Sequence, residues 1–232
     1  QGEIREKQIA AGLITASEVN RVFAGDASTI AEMGAGDVVS FQDIRGTEQS
    51  LKLARSPKQT KMIDGSTKIG TVVVGAGYSA FVGQELFPVL EDMEHGGVKV
   101  WRPVESYAAA GTVMMDEIGK ISSTRFVEVE DMIKYGGAGA LTTDATDDTG
   151  VDNMYVSGTN YDVFPILNVG SDSFGTIGFE GDVARVNTVM PTADAHNDVF
   201  GKKGVVAISW YHGLLIYRPE RIRQILTVAK LS

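Results

Sequence analysis

Three groupings in this 232-residue sequence have residue types and spacing suited to chemistry. The first is Gly75-Ala76-Gly77-Tyr78-Ser79-Ala80, a G-x-G-x-x-A pattern. It follows the β-branched run Thr71 to Val74 and opens an apolar stripe at helical spacing (Ala80, Phe81, Leu86, Phe87, Leu90). In a dinucleotide fold such glycines let the backbone approach a pyrophosphate at the amino end of a helix. This supports one alternative function, a small flavin- or nicotinamide-dependent oxidoreductase resting on Gly75, Gly77 and Ala80. The rest of that fingerprint is missing, because an acidic residue should follow about 20 positions on, at the end of a second strand. Glu91, Asp92 and Glu94 fall instead at the end of the apolar stripe, and the next strand runs into Trp101-Arg102. A tight strand-to-helix turn is the favoured reading.

The second grouping is the acidic loop Asp144, Asp147, Asp148 and Asp152. Counted from Asp144, a calcium-binding EF-hand needs Gly at position 6 and Glu at position 12, where the sequence has Thr149 and Tyr155. A solvated loop fits better. The third comprises the only histidines, His95, His196 and His212. Asp194, His196 and Asp198 alternate and can share one face of an extended segment, but no second His lies nearby and the sequence has no Cys, so a metal would lack ligands. No G-x-S-x-G nucleophile turn occurs. Pairs such as Asp116-Glu117 and Glu128-Glu130 read as solvated faces. No catalytic signature emerges, and no cofactor, metal or enzymatic activity is expected.

The elements that would position these residues follow from pattern. The clearest helix starts at Ser40, whose hydroxyl can cap the first amides, with Asp43 three residues on. Phe41, Ile44, Leu51 and Ala54 recur on one face, with Arg45, Glu48, Lys52 and Arg55 mostly on others. Ser56-Pro57 ends it. Lys58, Lys61 and Lys68 flank the polar linker around Asp64-Gly65 that follows. A short charged helix is expected over Glu3 to Ala11, and a second apolar helix from Ala80 to His95. Beyond Gly97 strands dominate: Phe126 to Glu130 and Val183 to Val189 alternate, Val163 to Val169 is nearly all apolar, and Val205 to Trp210 and Leu214 to Tyr217 read as two strands around His212-Gly213. Ile222 to Val228 closes the chain as a strand or short helix. The class is α+β, with helices early and strands late.

Composition narrows the function further. Hydrophobic residues make up 43% and charged residues 22%, as in folded globular proteins, and 27 glycines imply many turns. A net charge of −9 disfavours a general binder of nucleic acid or anionic membrane. The longest uncharged run, Ile69 to Gln84, is interrupted by four glycines and is too short to span a bilayer as a helix. The opening at Gln1 reads as mid-protein, so a leading segment is expected to precede it.

Several stretches resemble one family. Tyr161 to Phe179, Glu117 to Ile121 with Arg125 to Val129, Arg55 to Met62 with Gly65 to Ile69, and Trp210 to Gly213 with Arg218 to Ile222 resemble the major coat protein of N-four-like podoviruses, in order and over nearly the whole chain. The resemblance implies the Johnson fold of tailed-phage and herpesvirus shells. It places a spine helix at Ser40 to Arg55, a peripheral domain over residues 1–65 and 192–232, and an axial domain over 66–191. The family's amino-terminal arm and extended loop have no counterpart in this sequence. The implied function is a structural capsid subunit that self-assembles into hexamers and pentamers and encloses double-stranded DNA without binding it specifically. Its partners would be copies of itself, portal, scaffold and decoration proteins, with no membrane, in the virion and in host cytoplasm during assembly. An encapsulin-like compartment shell is a further alternative. Contacts between subunits are expected at Arg45, Lys52, Arg55, Lys58 and Lys61, and at Asp144, Asp147, Asp148 and Asp152.

Overall fold

Ser40 and Asp43 satisfy each other's backbone amides and so start a helix. The Ser40 N–H donates to Asp43 Oδ2 at 2.9 Å, and the Asp43 N–H donates to Ser40 Oγ at 3.4 Å. This reciprocal cap removes two of the unpaired donors that any helix start carries. The computed structural model describes residues 2–16, 20–63, 71–107, 113–142, 153–177, 184–191, 200–210 and 213–231. In chain order α1 (Gly2–Thr15) and β1 (Asn20–Phe23) precede the capped helix, α2 (Phe41–Leu53). Then come β2 (Gln59–Ile63), the 13-residue strand β3 (Thr71–Gly83), and the single-turn α3 (Phe87–Glu91). The hairpin β4 (Glu94–His95) and β5 (Val98–Lys99) leads to the edge strand β6 (Arg102–Pro103) and a second hairpin, β7 (Glu117–Ile121) and β8 (Thr124–Val129). The short pair β9 (Val156–Ser157) and β10 (Asn160–Tyr161) precedes β11 (Val163–Val169) and β12 (Phe174–Ile177). The remaining strands are β13 (Ala184–Val189), β14 (Val205–Trp210), β15 (Gly213–Ile216) and β16 (Ile222–Val228).

The chain divides into two units, one of residues 1–173 with 216–232 and one of residues 174–215. The larger unit is built on an eight-stranded mixed sheet ordered β1-β16-β11-β3-β8-β7-β6, with β2 paired to β3 off that path. Strands from early, middle and late sequence share it. The last strand, β16, lies parallel to β1 on one side and antiparallel to β11 on the other. Burial on both faces explains why β11 reads as a nearly unbroken apolar run, whereas β16 carries Arg223, Gln224 and Thr227 as well. All seven residues of β11 are buried, and six of seven in β16. On one face Ile44 of α2 joins a core with Ala80, Val82, Phe126, Phe164, Ile166 and Ile225. On the other, Leu226, Val228 and Val163 pack with Ala24, Met33 and Tyr161. In the smaller unit β13 and β14 form an antiparallel ribbon from Ala184↔Trp210 to Val189↔Val205.

The expected α+β class holds, with the sheet dominating. The division into early helices and late strands needs correction, because β1, β2 and β3 precede Gly97 and all join the main sheet. The expected second helix from Ala80 is also wrong. Residues 71–83 are one strand, pairing with β2 through its first part and with β8 and β11 through its second. Only a 3-10 turn over Gln84–Leu86 and α3 are left of that helix. The glycines of the G-x-G-x-x-A pattern sit within this strand, and the reason is steric. A Cβ on Gly75 would collide with the Arg125 guanidinium, and one on Gly77 would lie 3.0 Å from the Ser123 carbonyl and 3.1 Å from the Arg125 side chain. Arg125 lies across both glycines to reach Glu117, Nη1 to Oε2 at 2.9 Å, with the Glu117 side chain fully buried. Glu117 also accepts from the Tyr107 hydroxyl at 2.7 Å and the Met114 N–H at 2.8 Å. Burial, together with the Glu117 carboxylate, pushes the Tyr107 phenol up from its ordinary value.

Helix α2 is closed and anchored by polar contacts that periodicity does not reveal. Its buried face holds Ile44 and Leu51 but also Thr47 and Glu48, so Glu48, expected on another face, is 3% exposed. Glu48 accepts hydrogen bonds from Lys52 and from Ser123 Oγ at 2.6 Å, which pins the helix to the turn of the β7–β8 hairpin. Burial alone would raise the Glu48 pKa, but the hydrogen bonds from Lys52, Ser123 and Ser122 outweigh it and hold the carboxyl at about 2. At its other end α2 stops in a Schellman arrangement. The Ser56 N–H donates to the Leu51 carbonyl and the Arg55 N–H to that of Lys52, both at 3.0 Å. Arg55 therefore adopts φ = +51°, a left-handed conformation that glycine normally fills.

Two outcomes follow for stability. Gly77→Val displaces Arg125 from its carboxylate and is expected to cost about 2–4 kcal/mol in urea unfolding. Glu48→Gln, which keeps the shape but loses the charge-assisted bonds, is expected to cost about 1.5–3 kcal/mol at neutral pH. Because the folded pKa of Glu48 lies below its ordinary 4.5, its contribution is complete above that value and is lost as pH falls toward about 2. The gap between wild type and Glu48→Gln in urea midpoints should therefore narrow through that window.

Candidate functional site

The carboxyl end of α2, the β4–β5 and β7–β8 hairpins and the edge strand β6 enclose a groove of about 590 Å³. Five cations line it: Lys52, Lys58, Lys99, Arg102 and Lys120. The single carboxylate in its wall is Glu48, already occupied by Lys52 and Ser123. Phe41, Val100, Ser122 and Ser123 complete the lining.

Each cation is held differently. Lys52 projects into solvent from the last turn of α2, where the helix dipole favours positive charge. Lys58 lies 5.8 Å from the centre of the Tyr78 ring, and Lys120 4.2 Å from that of Tyr107. Lys99 meets Asp92 at 3.3 Å, but both side chains are mostly exposed and the pair is weak. Arg102 has no ion-pair partner among the described residues and is exposed. In the antiparallel register Arg102 stands directly opposite Lys120, and Lys120 opposite Arg125. Glu117 neutralises Arg125 alone. Like charges directly opposite on neighbouring strands destabilise a sheet, so the Arg102–Lys120 pair is an uncompensated feature. Among the described lining residues the one buried acid or base is Glu48, and Lys52 and Ser123 already occupy it. Chemically it can hold anionic oxygens.

The residues expected from sequence separate accordingly. Lys52 and Lys58 come together in the groove. Arg45 lies exposed on α2, Arg55 at the helix end and Lys61 on β2, outside the groove lining. Asp144, Asp147, Asp148 and Asp152 lie outside the described residues, as do Asp194, His196, Asp198 and His212. His95 lies in β4 with its ring centre 4.8 Å from that of Phe41. Among the described residues no group of three or more His, Asp or Glu could hold a metal ion. Sequence reasoning missed Lys99, Arg102 and Lys120. Each is a lone cation beside an apolar residue; strand pairing sets Arg102 against Lys120, and the fold brings Lys99 to the same groove. The dinucleotide alternative fails on geometry: Gly75, Gly77 and Ala80 lie inside β3 and open no helix.

Comparison with known proteins places this geometry. No family model matches the chain. It is 32% identical over 237 residues to the major capsid protein of Pseudomonas phage KPP21, covering 99% of this chain and 58% of that protein. Among solved structures, the capsid of Ralstonia phage GP4 matches with a TM-score of 0.53 at 15% identity, covering 93% of this chain and 53% of that one. A structure from Mycobacterium phage Che8 follows with a TM-score of 0.46 at 13% identity, covering 96% and 58%. The chain thus spans little more than half the length of the proteins it matches. Along almost its whole length this chain is similar in sequence to a phage major capsid protein, and its fold matches that of a phage capsid.

Proposed function

We propose that the chain is the shell-forming part of a phage major capsid protein, whose role is structural. Copies pack edge to edge into hexamers and pentamers and close an icosahedral head around double-stranded DNA, with α2 as the spine helix. The observation that supports this most is the 32% identity to a phage major capsid protein over 99% of the chain. Closed shells of this kind need heterologous contacts, in which one edge of the subunit complements a different edge of the next. Arg45, Lys52, Arg55, Lys58 and Lys61 on one side, and the loop Asp144 to Asp152, are the residues put forward for such contacts. The net charge of −9 suits a wall that encloses DNA without gripping it. In this reading the protein resides in the virion and in host cytoplasm during assembly, with portal, scaffold or decoration proteins as further partners. Among the described residues no helix is long and apolar enough to cross a membrane.

Arg55 gives the proposal a local physical argument. A non-glycine residue held in the left-handed region costs stability, and such strain is retained where another role compensates. Arg55→Gly is expected to raise unfolding stability by about 0.5–1 kcal/mol while lowering particle yield. Native mass measurement and electron microscopy of the wild-type protein should show large closed particles. The double variant Arg55→Glu, Lys58→Glu should keep a folded subunit by circular dichroism and lose particles by roughly tenfold or more. Soluble monomers of wild type under conditions where its relatives form shells would defeat the reading.

A further inference from the structure

We propose that the basic groove beside α2 receives a carboxylate-bearing segment of a second copy of this chain, clamped by Arg102 and Lys120. The inference rests on the capsid reading above and identifies what one edge of the subunit accepts.

Charge balance selects the occupant. Setting aside the five groove cations and Glu48 leaves 16 Lys and Arg against 29 Asp and Glu, a balance of −13 on the rest of the chain. Any second copy therefore approaches with a strongly acidic surface, and the groove offers the complementary sign. DNA is the poorer occupant. Its phosphates would meet the same −13 at long range, and a groove of about 590 Å³ holds a few side chains, not a duplex. The groove is also prepared in advance. Lys58 and Lys120 are positioned by aromatic rings, which leave their N–H donors free for an anion. The Arg102↔Lys120 register sets two cations face to face at the sheet edge, with no carboxylate of their own. An arriving carboxylate would relieve that repulsion and gain bonds from both.

The repulsion gives the proposal a test that a merely structural role would not pass. Arg102→Glu turns a like-charge pair into an opposite pair. The isolated subunit should melt about 1–3 °C higher, whereas particle yield should fall on the order of tenfold or more. Arg102→Gln should fall between wild type and Arg102→Glu in particle yield. In a second experiment, particles are grown from an equal mixture of isotope-labelled and unlabelled full chains. They are then treated with a zero-length carboxylate–amine cross-linker and analysed by mass spectrometry. Mixed-isotope links from Lys58, Lys99 or Lys120 to Asp or Glu are the expected result. Wild-type yield from Arg102→Glu, or particles whose groove lysines link only within one copy or not at all, would overturn the proposal and leave the capsid reading standing. Formaldehyde links from these lysines to DNA in filled particles would overturn it in favour of phosphate. A wild-type chain that forms no particles would bring down both.

Discussion

A guanidinium taken out of water has to be met by a carboxylate, and the centre of the larger unit is arranged around that requirement. Arg125 and Glu117 lie on adjacent antiparallel strands, with side chains 8% and 0% exposed. Burying two such charges is costly, so the pair is tolerable only if its remaining donors and acceptors are satisfied. Tyr107 and the Met114 amide supply the bonds to Glu117. Gly75 and Gly77 supply the space for Arg125. The demand extends outward from there, since β3 must stay a strand past Gly77 to keep its backbone flat beneath the arginine. That strand in turn holds β8 on one side and β11 on the other. The ion pair adds little net energy compared with an apolar pair of equal volume. What it specifies is register, because a slip of one residue would leave a buried charge alone.

This constraint shows which parts of the fold were legible in the sequence. Helix α2 was readable from Ser40 to its end because a capping box, an apolar stripe and a Ser-Pro stop are all local signals. β11 was readable because a strand buried on both faces is apolar at almost every position, here all but Asn168. The glycine motif was misread for an equally physical reason. A glycine that makes room for a pyrophosphate and one that makes room for an arginine from another strand look identical along the chain. Glu48 was misread because helical periodicity treats a carboxylate as solvent-facing, and its partner Ser123 is 75 residues away. The groove was half legible. Lys52 and Lys58 stand out as a basic cluster near a helix end, but Arg102 and Lys120 acquire meaning only through the pairing of β6 with β7.

The distribution of charge links the fold to the proposed function. In the proposed role, a chain of −9 packed into a crowded shell works against its own repulsion. Uniform acidity would oppose assembly, whereas one concentrated basic groove on an otherwise acidic subunit makes attraction depend on orientation. Attraction of that kind favours head-to-tail contact between unlike surfaces, the geometry from which rings are built. It also steers encounter more than it strengthens the final complex. The apolar contribution has to come from elsewhere. The β13–β14 ribbon leaves Val186, Val206 and Ile208 more than half exposed on one face in its alternating register. A two-stranded ribbon is marginally stable by itself, and an apolar face of this kind gains most from being covered.

In the proposed role, stability and assembly are opposed at Arg55 and at the Arg102–Lys120 pair. An enzyme concentrates its strain around a reacting centre, where buried bases and nucleophiles are kept at shifted pKa. Here the non-glycine residues held at positive φ among the described residues, Arg55, Asp116, Ser122, Asn153 and Asp172, are all exposed, and the like-charge pair Arg102 and Lys120 bridges the edge strand β6 and its neighbour β7. Of the groups with shifted pKa values in or near the interior, Glu48, Tyr78, Tyr107 and Asp162 are each tied to neighbouring elements by hydrogen bonds. Arg223, held below its ordinary value by burial, instead leaves Nη1 buried without a hydrogen-bond partner among the described residues. Asp162, for example, accepts from the Gly137 N–H at 2.7 Å and from Ser157 Oγ at 3.0 Å, which closes the loop ahead of β11. Glu48, Asp162 and the Glu117–Arg125 pair are thus spent on fixing the shape, while the like-charge Arg102–Lys120 pair stands at the sheet edge. A subunit that has to fold alone and then fit its neighbours needs that division, because a rim fully satisfied within one chain would have nothing left to offer the next.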